Sequence, residues 1–114
     1  MKKAIALLLA LVMVFALCAC GGGGDSASGE KVVKIGVFEP ASGDSGAGGK
    51  KEMLGMQYAN QETPTVEIGG ETYKVELVYS DNGSDSAKAV SAASKLVNEK
   101  VSLVLGSYGS GVSI

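Results

Sequence analysis

The residues best suited to contact a small molecule lie in two stretches built almost wholly of glycine, alanine and serine, Ala41–Gly49 and Gly106–Gly111. Residues without bulky side chains let main-chain amides come close to a bound group, and Ser110 adds a hydroxyl. The chain has no histidine and no arginine. The commonest general base and metal ligand is therefore missing, and catalysis would fall to Ser, Lys, Tyr or carboxylates. Ser110 sits in Tyr108-Gly109-Ser110-Gly111, which lacks the leading glycine of a G-x-S-x-G nucleophile elbow. No acid or histidine accompanies it, so a surface hydrolase is the weaker reading and the chain is not expected to be an enzyme.

Two further motifs fail on inspection. A phosphate-binding loop ending at Gly49-Lys50 would need glycine at position 44 and a hydroxyl at 51. The sequence has Asp44 and Lys51, placing a carboxylate among phosphate-facing amides and removing the magnesium ligand. Asp81, Asn82 and Asp85 suggest calcium, but Gly83 and Ser86 break the EF-hand spacing. That stretch reads as a solvated loop and helix cap. Two cysteines without histidine make no structural zinc site. No metal and no cofactor are expected.

The elements that must position the two stretches follow from apolar periodicity. Val32, Val33, Ile35, Val37 and Phe38 form a first strand, which Pro40 ends. Lys50 to about Asn60 reads as a helix, with Met53, Met56 and Ala59 at helical spacing and Thr63-Pro64 after it. Val66–Ile68, Gly69-Gly70 and Tyr73–Tyr79 read as a short strand, a tight turn and a longer strand with one wet face. Asp85 or Ser86 can cap a second helix to about Glu99, whose expected buried stripe is Ala87, Val90, Ala93 and Val97. Tyr58, Tyr73 and Tyr79 are expected in the core or on a sheet face. Val101–Leu105 is an apolar third strand.

The order β-α-β-α-β implies an α/β fold with a parallel sheet and right-handed crossovers. The first and third strands are apolar runs and the second alternates, which predicts strand order 2-1-3 with the second at the edge and a minor ribbon near Gly69-Gly70. Ligands of such sheets sit beyond the carboxyl ends of the strands, where strand order reverses. Here that point lies between the first and third strands, between the two glycine–serine stretches. A helix beginning near Ser110 would turn its free N–H groups towards a carboxylate there. Tyr108 is a candidate to pack on the ligand. The chain stops at Ile114, where a third helix is expected, so residues 32–114 are expected to be one partial lobe.

The first residues carry a different signal. Lys2 and Lys3 precede sixteen apolar residues, Ala4 to Ala19, fewer than the ~20 a spanning helix needs. Leu17-Cys18-Ala19-Cys20 then runs into Gly21-Gly22-Gly23-Gly24. Residues 1–19 thus read as a signal peptide, Cys20 as a lipidated cysteine, and residues 20–31 as a flexible tether to a membrane. Removing residues 1–19 leaves eight lysines against twelve acidic side chains, a net charge of −4, which argues against nucleic acid as a partner.

Together, VVKIGVFEPASGDSGAGGKKEMLGMQYANQ and YKVELVYSDNGSDSAKAVSAASKLVNEKVSLVLGSYGSGVS resemble the start of the branched-chain amino acid and amide-binding proteins of ABC importers, the type I periplasmic binding proteins. The resemblance rests on Pro40–Gly43, the strand ending at Asp81, the helix after it and the strand ending at Gly106, behind a lipobox. It implies a parallel three-layer α/β sandwich and two lobes closing on an amino acid, amide or similar solute. It also implies ABC permease and ATPase subunits as partners, and a lipid anchor on the extracytoplasmic face of the cell membrane, as palmitate or a related acyl chain. In that family a serine after the third strand meets the ligand carboxylate. The matching position is Ser110, flanked by Gly109 and Tyr108, with Ser42 in the first loop. The family's aromatic residue in the first loop aligns with Gly48. A sensing lipoprotein of the same fold, feeding a receptor, is the alternative to transport.

Overall fold

The structure is a computed structural model that describes residues 29–114. The expected signal peptide, Cys18, Cys20 and nearly all of the expected tether lie outside the described residues.

Strand β1 (Val32–Phe38) is the β-branched run ahead of Pro40. Helix α1 (Gly46–Glu62) begins four residues earlier than the Lys50 expected from helical spacing. Glycine is a poor helix former, yet Gly46 and Gly49 are buried in the first turn. A β-carbon at Gly49 would run into the ring and carbonyl of Pro40. Tertiary contact therefore places the helix start where propensity would not, and the expected loop Ala41–Gly49 shortens to Ala41–Ser45. The helix closes with Thr63 N–H donating to Ala59 C=O, and Pro64 cannot continue it.

Strands β2 (Thr65–Ile68) and β3 (Glu71–Tyr79) form a hairpin. Its two turn residues, Gly69 and Gly70, have φ of 60° and 79°, the conformation of a type I′ turn. Helix α2 (Ser86–Asn98) is capped by Asp85, whose side chain accepts from Lys88 N–H at 2.7 Å. Strand β4 (Leu103–Gly106) starts two residues later than expected, because Val101 turns in to pack beside Leu96 at Gly36.

The sheet order is β2-β3-β1-β4. β1 pairs in parallel with β3 (Ile35 opposite Leu77) and with β4 (Ile35 opposite Leu103). The three parallel strands thus have the expected order 2-1-3. The ribbon strand β2 takes the outer position, so the sheet is mixed and β3 is not its edge.

The helices cover opposite faces, giving three layers. α2 packs on the face of Gly36, where its buried residues are Ala89, Ala92 and Leu96, while Val90 and Val97 are exposed. The expected stripe was Ala87, Val90, Ala93 and Val97. Two apolar series interleave on this helix, and the one that carries Leu96 is buried, its side chain seated against Gly36. On the other face α1 stands off the sheet, leaving a cavity of about 770 Å³ between it and Val33, Ile35, Leu77, Leu103 and Leu105. Tyr58, expected in the core, points outward from α1 and is exposed.

β4 therefore forms one edge of the sheet among the described residues, with Leu103, Val104 and Leu105 all exposed. An apolar strand with unpaired main-chain groups templates further pairing. The 114-residue chain alone is expected to self-associate with rising concentration in light scattering, and Leu105→Lys to reduce that association. A monodisperse monomer with a cooperative unfolding transition would contradict this.

Candidate functional site

Beyond the last paired residues of β1 and β4, Phe38 and Gly106, the two chains part and open a crevice of about 450 Å³. Gly106 is needed at this point. Its φ is 132°, and a β-carbon there would meet the Phe38 carbonyl.

The β4 loop supplies one wall, with Tyr108, Gly109 and Ser110 all lining the crevice. Gly109 is extended, and Ser110 opens a single 3-10 turn, Ser110–Val112. The helix expected there is only this turn in the described residues. Among those residues, neither the hydroxyl nor the amide of Ser110 has a hydrogen-bond partner. Ser107 and Ser113 close the loop: their hydroxyls lie together, each 3.2 Å from the Gly109 carbonyl, so that one donates to the other and the second donates to that carbonyl.

Tyr108 adopts a left-handed backbone with φ of 49°, a state costing a bulky residue about 1–3 kcal/mol unless its surroundings impose it. Its ring lies against Gly48 and fills the space that a side chain at 48 would need. An aromatic ring thus reaches the mouth of the crevice from the β4 loop, whereas the resemblance put one in the first loop.

Ser42, expected at the ligand, is drawn elsewhere. Its hydroxyl donates to Asp81 Oδ2 at 2.6 Å and accepts from Lys88 Nζ at 3.0 Å. The Asp81 carboxylate also accepts from the amides of Ala41 and Gly83, both at 2.8 Å, and from Lys88 Nζ at 2.7 Å. Burial alone would raise this carboxyl, but the donors from Lys88, Ser42, Ala41 and Gly83 outweigh it and hold it well below the usual carboxylate range. The group is a structural knot, not a calcium ligand set. Among the described residues no cluster of three or more metal-ligating side chains occurs.

Ser45, from the first of the two anticipated stretches, also lines the crevice, and three residues not anticipated there complete it: Asn82, Ser84 and Ser86. The one signal for this group was the density of polar side chains directly after a strand end.

A carboxyl of a different kind lies on the α1 face. Glu39 is 1% exposed, and neither of its carboxyl oxygens has a hydrogen-bond partner among the described residues. Burial, then the neighbouring Glu52 carboxyl, push Glu39 up from 4.5 to about 7.

The profile of the periplasmic binding protein family matches residues 32–114. A curated Leu/Ile/Val-binding protein homolog 2 from Brucella abortus is 33% identical over 82 residues, which is 72% of this chain and 22% of that protein. The chain therefore spans about a fifth of the length of the curated relatives it matches. A leucine-binding protein from Thermotoga maritima superposes with a TM-score of 0.64 at 38% identity, over 72% of this chain and 23% of the other. A branched-chain amino acid transporter substrate-binding protein from Streptococcus pneumoniae, solved with isoleucine, gives 0.61 at 34% identity, over 73% and 24%.

The Glu39–Glu52 pair makes stability depend on pH. The folded Glu39 binds its proton more tightly than the unfolded one, so its stabilisation is complete below about pH 4.5 and is lost as pH rises through about 7. Thermal unfolding of wild type should move to lower temperature between pH 5 and pH 8. Glu39→Gln should unfold at nearly the same temperature at both and exceed wild type at pH 8. Parallel pH profiles for the two proteins would refute the raised Glu39 carboxyl.

Proposed function

This chain belongs to the type I periplasmic binding protein family, and from that premise we propose that it captures a small solute outside the cytoplasm for an ABC importer. The solute is an amino acid of branched-chain type or a similar small carboxylate or amide, and the partners are the importer's permease and ATPase subunits. Residues 32–114 contribute part of the first of two lobes. Residues 1–19 act as a signal peptide, Cys20 carries the acyl chains, and residues 20–31 tether the domain to the membrane surface.

The observation that carries the reading is Ser110. Its hydroxyl and amide have no partner among the described residues, and it lines a crevice at the strand-order switch point. A carboxylate accepting from both would gain two charge-assisted hydrogen bonds. Tyr108 and the Gly48 surface under its ring would flank the rest of the solute. Ser42 takes no part in this proposal, since the Asp81 knot occupies its hydroxyl.

Isothermal titration of isoleucine into the intact protein tests the site. Ser110→Ala keeps the amide and loses one hydrogen bond to a charged group, worth about 1.5–3 kcal/mol. Affinity should fall roughly ten- to hundredfold. Ser94→Ala, on the outer side of α2 where the hydroxyl bonds Val90 C=O, should bind as wild type. Equal affinity in wild type and Ser110→Ala would move the site elsewhere.

The anchor is tested separately. Stable membrane attachment needs two or more acyl chains, so Cys20→Ser should release protein from the membrane fraction or leave the precursor uncut. Unchanged processing and retention would defeat the lipoprotein reading.

A further inference from the structure

Asn82 is wholly buried although it lies in a polar loop outside any strand or helix. Its side-chain amide donates to two main-chain carbonyls, Phe38 C=O at 3.2 Å and Ser107 C=O at 3.3 Å. Its side-chain oxygen accepts from Ser84 N–H at 3.0 Å, and its own N–H donates to Glu39 C=O at 3.4 Å. Both amide hydrogens are therefore used. The orientation is fixed by chemistry, because a flipped amide would set its oxygen against two carbonyl oxygens.

The three partners belong to three different segments. Phe38 closes β1, Ser107 follows β4 directly, and Ser84 leads into α2. The β1–β4 ladder stops at Phe38 and Gly106, so the sheet itself does not hold Ser107. The side chain of Asn82 spans that gap. Three residues further on stands Ser110, and between them Tyr108 holds its left-handed backbone. Ser84 extends the same chain of contacts to the other wall, its hydroxyl accepting from Ser45 N–H at 3.0 Å just before α1.

We infer that Asn82 is a positioning residue for the ligand site: its side chain bridges Phe38 and Ser107 across the diverging strands and so fixes the β4 loop that presents Ser110. The inference rests on the binding role proposed for Ser110, and it adds a residue that need not touch the solute.

Two variants of the intact protein test it, with isoleucine as the probe and amide hydrogen exchange of residues 107–112 as a readout that needs no ligand. Asn82→Ser keeps an oxygen for Ser84 N–H but is too short to bridge to Ser107. It should exchange faster across 107–112 and bind isoleucine roughly three- to tenfold more weakly, as expected for losing a hydrogen bond or two of modest net worth. Asn82→Asp is nearly isosteric. Ionised at pH 8, its carboxylate opposes both carbonyls; protonated at pH 5, it can donate one bond. Its deficit against wild type, in affinity and in exchange, should be larger at pH 8 than at pH 5. Asp81, which Lys88 keeps ionised, and the Glu39–Glu52 pair are common to both proteins and cancel in that comparison.

Wild-type exchange at 107–112 in folded Asn82→Ser would overturn the inference. So would wild-type affinity in that variant where Ser110→Ala binds weakly. Faster exchange together with a silent Ser110→Ala would keep Asn82 as the support of the loop and remove the ligand from Ser110, so the two readings fail separately.

Discussion

Five donors converge on the carboxylate of Asp81: the amides of Ala41, Ser42 and Gly83, the Ser42 hydroxyl and the Lys88 ammonium. A charge accepting that many bonds stays ionised and becomes costly to move. It clamps the chain leaving β1 to the chain leaving β3. The backbones press so close that Gly43 has φ of 77° and a side chain there would strike the Gly83 carbonyl. This knot fixes the path of Ala41–Ser45, and that path decides where α1 can begin. The first turn of α1 in turn sets Gly48 against the Tyr108 ring. The wall of the crevice is thus built outward from one half-buried charge and the glycines that let main chain approach it.

The two sheet faces are treated differently. On the Gly36 face, a missing β-carbon and the alanines of α2 allow close packing, with Leu96 1% exposed. Interiors of that kind pack at near-crystalline density. On the opposite face α1 stands away from the strands over an apolar cavity, and the Glu39–Glu52 pair lies at the carboxyl end of β1. The buried Glu39 carboxyl favours its protonated form there, since burial and the neighbouring Glu52 both oppose its ionisation. The close-packed half of the domain is therefore the α2 half, and the half that holds the raised carboxyl is the α1 half.

The groups this crevice presents are main chain and hydroxyls rather than free charged side chains. Lys88, beside the crevice, is consumed by Asp81, and Asp85 is consumed as a helix cap. A crevice whose fixed charges are already engaged offers directional donors and little net field.

Much of this architecture was legible in the sequence. β-branched runs and the 3.6-residue period gave the strands and helices, and the contrast between continuous and alternating strands gave the order of the three parallel ones. Those features are local, so the chain carries them in its own spacing. Glycine and serine density marked the two loops at the switch point for the same reason. The start of α1, the buried stripe of α2 and the fate of Ser42 were not legible. The last two are decided by partners dozens of residues away, Gly36 for the stripe of α2 and Asp81 for Ser42, and the first by the contact of Gly49 with Pro40. Spacing records which residues could face inward, but only the meeting of distant segments selects which of them find a donor, a gap or a neighbour there.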